Sequence, residues 1–169
     1  MTRPMLLLAA ALAVAAPLAA QSDEGVAKTL NTLKEKNPSL HAKVLAAYGY
    51  AVFPSVGKGA IGVGGAHGKG FVYEQGTKVG KTSLTQVTVG LQLGGQAYSE
   101  ILVFEDRTAL DDFKRGQFEF DAQASAVLIT LAASADLPYR KGVAVITMGK
   151  GGLMYEASVG GQKFSYKPL

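Results

Sequence analysis

The sequence predicts an α+β fold: a strongly bent, largely antiparallel, barrel-like sheet with two N-terminal helices and one short middle helix. Three observations lead there. Apolar residues near the front recur at helical spacing, residues 86 to 93 alternate with period two, and glycine is concentrated between Gly57 and Gly70.

The first helix rests on Val26, Leu30 and Leu33, which recur at i, i+4, i+7 and form one narrow stripe at 100° per residue. Asn37-Pro38 ends it, and Ser39 is positioned to cap a second helix whose Leu40, Val44, Ala47 and Tyr48 share a face. Tyr50 to Phe53 then reads as a strand closed by Pro54. In the glycine-dense stretch that follows, missing side chains permit bulges, tight bends and close backbone approach. Phe71 to Glu74 reads as strand and Gly76 to Lys81 as turn. Val87, Val89, Leu91 and Leu93 alternate with Gln86, Thr88, Gly90 and Gln92, the mark of a strand with one buried and one polar face. After Gly94-Gly95 comes a strand at Ile101 to Phe104, and then a short helix capped by Thr108, with Leu110 and Phe113 inward and Gly116 as its stop. Further strands are expected at residues 118–120, 126–131, 143–148, 153–159 and 163–166, the last entered through Gly160-Gly161.

Residues 1–20 have the order of an export signal. Arg3 is followed by an apolar run from Met5 to Ala16, then Pro17 and small residues up to Ala20. The run is shorter than the roughly 20 residues a membrane span needs. Cleavage there leaves residues 21–169 as a single domain, periplasmic or secreted. The chain has no cysteine, so neither a disulfide nor a lipoprotein acyl attachment is expected. Its net charge of +4 suits an anionic surface but is too small to argue for nucleic acid.

Catalytic chemistry finds little support. Gly57-Lys58-Gly59-Ala60-Ile61-Gly62 fits G-x-G-x-x-G, but the glycines after it cannot start the helix that a dinucleotide site requires. No nucleotide partner is expected. His41 and His67 are the only histidines, and neither belongs to a cluster with metal-ligand spacing. The neighbouring acids Glu105-Asp106 and Asp111-Asp112 flank a helix start, where they complement its dipole. The reading is a non-enzyme without cofactor or metal.

Several segments resemble the SYLF domain family. They are Ala47-Tyr48-Gly49-Tyr50-Ala51-Val52-Phe53-Pro54-Ser55-Val56-Gly57-Lys58-Gly59 and its continuation from Gly62 to Gly70, then Gln92 to Ala97, Phe118 to Ser125 and Gly149 to Leu153. The resemblance runs from about residue 26 to 166, and Asp121 departs from it where the family usually has glycine. Eukaryotic members bind phosphoinositide-rich membranes through an amphipathic front helix and a basic surface, and some yeast members bind actin. A chain with an export signal does not meet actin. The resemblance therefore implies an exported module that associates peripherally with anionic phospholipid membranes. The matching positions are Val26, Lys28, Leu30, Leu33, Lys34 and Lys36 on the front helix, with Lys58 and Lys69 in the glycine-rich region. The alternative is a structural or interaction protein of the cell envelope that binds protein or cell-wall partners. An integral outer-membrane barrel fits less well, since aromatics are only 8% of the chain, tryptophan is absent and two helices lead.

Overall fold

The computed structural model describes residues 23–61, 63–89, 96–116, 119–120, 136–149 and 161–169; at 58–61, 63–64, 87–89, 96 and 119–120 only the backbone is described. The leader expected at residues 1–20 and the strands expected at 126–131 and 153–159 lie outside the described residues, as do Asp121 and the glycine pairs 94–95 and 160–161, apart from Gly161 itself.

Two helices come first among the described residues, α1 (Asp23–Lys36) and α2 (Pro38–Ala46). Pro38 stands in the first turn of α2, where its missing N–H costs nothing. The cap is therefore Asn37 rather than Ser39: its side chain accepts from the Leu40 N–H at 3.0 Å. Four strands follow, β1 (Gly49–Ile61), β2 (Val63–Glu74), β3 (Thr77–Val89) and β4 (Gln96–Phe104). The helix α3 (Arg107–Lys114) comes next, then β5 (Glu119–Phe120), β6 (Val143–Gly149) and β7 (Gln162–Pro168). Asp106, not Thr108, caps α3, accepting from the Ala109 N–H at 2.8 Å.

All pairings are antiparallel, in the order β5-β7-β3-β2-β1-β4-β6. Of the bulges, bends and close approach that the glycine-dense stretch permits, close approach is met at Gly68 and Gly70. The stretch forms the tip of a long β1–β2 hairpin, paired as far as Ile61 and Val63. Pro54 does not end its strand. It sits where the β1 register shifts against both neighbours, a bulge that tolerates a residue without N–H. Its carbonyl accepts from the buried Ser99 hydroxyl at 2.9 Å. The turn expected over 76–81 shrinks to Gln75-Gly76, both at positive φ, and β3 resumes at Thr77.

The sheet is curled hard. In a flat sheet β1 and β7, three strand spacings apart, would hold their side chains about 14 Å from one another. Instead the rings of Phe53 and Phe164 have centroids 5.8 Å apart. Gln162 of β7 donates from Nε2 to Glu100 Oε2 of β4 at 3.1 Å, across four strand spacings. The bent, barrel-like shape thus holds, although the edge strands β5 and β6 do not pair with each other among the described residues.

Both faces carry core. The concave face buries Phe53, Val56, Leu84, Leu102 and Phe104, and α3 closes one end with Leu110 and Phe113. Phe113 bridges Phe104 and Phe164, at 4.9 and 5.5 Å. Glu74 ties this end together, accepting from Lys114 at 2.6 Å and Tyr48 at 2.8 Å, and these bonds hold its carboxyl below the usual carboxylate range. The outward face buries Tyr50, Val52, Phe71, Ile101, Val103 and Ile146 beneath α1 and α2.

The concave face has little room along β2. A Cβ on Gly70 would lie 2.1 Å from the Val52 carbonyl oxygen, whereas one on Gly57 would meet nothing within 4 Å. Gly70→Ala is expected to cost about 1–3 kcal/mol, as overpacking does. Gly57→Ala should stay within about 0.5 kcal/mol of the parent chain. Chemical denaturation of the two variants checks this.

Candidate anion-binding surface

The residues singled out from the sequence divide into three groups. The α1 stripe is core. Val26 and Leu33 are 3% and 0% exposed, and Leu30 packs half-buried on the same cluster. The stripe therefore offers no outward apolar surface in this packing, because the sheet's outward face supplies its partners, Phe71 and Tyr73 among them. Lys78 pins the start of the helix, pairing with Asp23 while its ammonium lies 4.6 Å from the Phe71 ring centre.

The lysines of α1 form the second group. Lys28, Lys34 and Lys36 are exposed, and none makes an ion pair among the described residues. Lys34 and Lys36 stand in the last turn, where they also complement the helix dipole.

The glycine-region lysines are the third group. The backbone of Lys58 lies on β1 between Ala66 and Gln96, and its side chain is outside the described residues. Lys69 is exposed on the outward face of β2. The sheet brings to that same face three exposed lysines that sequence reasoning missed: Lys81 from β3, and Lys163 and Lys167 from β7. The available signal was the alternation Lys81-x-Ser83-x-Thr85 and Lys163-x-Ser165-x-Lys167, polar at every second position. Assigning 76–81 to a turn hid the first half of it. His67 is exposed here too, its Nδ1 3.4 Å from Thr85 Oγ1.

Catalytic geometry does not assemble among the described residues. No group of three His, Asp or Glu side chains is placed to hold a metal there. The G-x-G-x-x-G stretch continues as strand, without the helix N-terminus that would receive a pyrophosphate. An open depression of about 500 Å³ beside α2 has Lys43 on its wall, bonded to Asp136 at 2.6 Å. No helix among the described residues is long and apolar enough to cross a membrane.

Residues 85–167 match the family described as Ysc84, Las17-binding protein actin regulator. This chain carries a domain of the Ysc84, or SYLF, family. The match spans β4, α3, β6 and β7 and takes in Lys163 and Lys167. The chain is also similar to Beta cell expansion factor A of Aeromonas veronii, with 30% identity over 135 residues. That alignment covers 78% of this chain and 51% of the relative, so the chain spans about half the length of that protein. SYLF domains are in general binding domains, associated with lipid and membranes.

One buried group of the SYLF domain was not foreseen. Glu100 is 0% exposed on the concave face, and its Oε1 has no hydrogen-bond partner among the described residues. Burial raises its pKa to about 7, against a smaller lowering by the Gln162 bond. Nearby Tyr98 is also pushed up, by burial first and then by Glu100. A carboxyl whose folded pKa lies above its unfolded value favours the folded state only while it is protonated. Its contribution is fully present below about pH 4.5 and is lost as pH rises through about 7. Glu100→Gln stays neutral throughout. Wild type should therefore lose stability relative to this variant between pH 4.5 and 7, by on the order of 3 kcal/mol in total. Paired urea titrations across that range measure it, and a constant difference would contradict the burial of an unpaired carboxyl.

Proposed function

We propose that this chain is an exported, non-catalytic module that associates peripherally with anionic phospholipid membranes, taking no cofactor. The observation that carries this is the set of exposed lysines without ion-pair partners among the described residues: Lys28, Lys34 and Lys36 on α1, and Lys69, Lys81, Lys163 and Lys167 on the sheet. A lysine near an anionic bilayer contributes about 1 kcal/mol, falling off within a Debye length. A few such residues hold a folded protein reversibly at a membrane without an apolar anchor. The lipid association of SYLF domains supports the reading. So does the leader-like order of residues 1–20, which also argues against the actin regulation named in the family description.

Purified protein lacking residues 1–20 should sediment with phosphatidylcholine vesicles containing phosphatidylglycerol, and not with pure phosphatidylcholine. Binding should fall steeply between low salt and about 0.5 M, where the Debye length shrinks to a few ångströms. No sedimentation even at low salt would overturn the proposal. The alternative of an envelope interaction protein would instead be favoured by protein partners that survive high salt.

A further inference from the structure

The outward face of the sheet is unevenly covered. Over β1, β4, β6 and the Phe71–Tyr73 end of β2, it is apolar and roofed by α1 and α2. Over the rest of β2, over β3 from Lys81 onward and over β7, its described side chains are polar or basic and lie outside the cluster beneath α1 and α2, and α1 reaches the border of this area at Lys78, which pairs with Asp23.

The register makes a compact array of that bare part. Lys81 stands directly opposite Lys167. In the next row Lys69, Ser83 and Ser165 lie side by side, and in the row after that His67, Thr85 and Lys163. Strands are about 4.8 Å apart and successive outward residues about 7 Å apart along a strand. Lys69, Lys81, Lys163 and Lys167 therefore surround two hydroxyls, Ser83 and Ser165, whose oxygens are 2.6 Å apart. None of the four lysines has an ion-pair partner among the described residues. Glu119 lies opposite Lys163 in backbone register at the sheet edge, so Lys69, Lys81 and Lys167 are the inner group. Like charges directly opposite on neighbouring strands are destabilising. The fold keeps such a pair at Lys81 and Lys167, neither of them in an ion pair among the described residues, an arrangement that an external anion relieves.

We propose that this face of β2, β3 and β7 is the one that seats the phosphate groups of an anionic bilayer. The inference rests on the membrane reading above and names the surface that performs it. Two features favour a bilayer over a single small anion. The array lies on the convex side of a curled sheet, so it has no walls to enclose a ligand. A plane of head groups, by contrast, meets several lysines at once.

The test uses the chain lacking residues 1–20 with phosphatidylcholine/phosphatidylglycerol vesicles at low salt. The triple variant Lys69→Gln/Lys81→Gln/Lys167→Gln should bind on the order of 100-fold more weakly, the loss of three lysines at a surface. The arginine version of the same triple should restore binding. The glutamine triple removes a like-charge pair from exposed positions, so its thermal midpoint should not fall. Undiminished binding by the folded glutamine triple would overturn the assignment while leaving membrane association intact. Failure of wild type to bind would overturn both. Capture of soluble polyphosphate without vesicle binding would overturn the choice of a bilayer.

Discussion

The contact between Phe53 and Phe164 depends on β1 and β7 being folded toward one another over the strands between them, and most of the molecule follows from that curl. It creates an interior, which Phe113 of α3 fills from one end by packing on Phe104 and Phe164. It leaves so little room along β2 that Gly68 and Gly70 stand where a side chain would strike Val56 or the Val52 carbonyl. It also brings Gln162 to Glu100 and seals that carboxyl from water. Hydrophobic burial on the concave side drives the curl, and the Pro54 bulge in β1 supplies a place to bend.

The outer side is shaped by the same event. Its apolar half is large enough to hold two helices, so the α1 stripe spends its apolar surface on the sheet. Val26 and Leu33 belong to one cluster with Val52, Ile101 and Ile146. The other half holds only polar and basic side chains at its described positions, and its alternation is that of a strand face turned to water. On the proposed reading the domain meets its partner as a folded unit, by charge, with its helices left in place.

Helices were the most legible part of the sequence. The spacing of Val26, Leu30 and Leu33 and of Leu110 and Phe113 identified both faces correctly, since a 3.6-residue period needs no long-range information. Caps were misplaced by two residues, at Ser39 and Thr108, because the competing Asn37 and Asp106 side chains bond more favourably placed N–H groups. The glycine run was legible only in part: the close backbone approach it allows is met at Gly68 and Gly70. Glycine marks bends and close approach alike, and only pairing with Thr82 to Val89 reveals that the run is extended. The missed lysines share that cause: Lys81, Lys163 and Lys167 are far apart in sequence, and register alone makes them neighbours. Glu100 carried no local sign of burial, because its enclosure comes from β7, more than sixty residues later.

In this structure α1 belongs to the core while the sheet's described lysines face outward. Backbone hydrogen exchange of α1, followed with and without phosphatidylglycerol-containing vesicles, tests it most directly, since slow exchange reports a helix that stays docked. The amides of residues 26–36 are expected to exchange at the same slow rate in both conditions. Faster exchange across Val26 to Leu33 on vesicle binding would contradict it, because the stripe would then have left the sheet to meet the membrane.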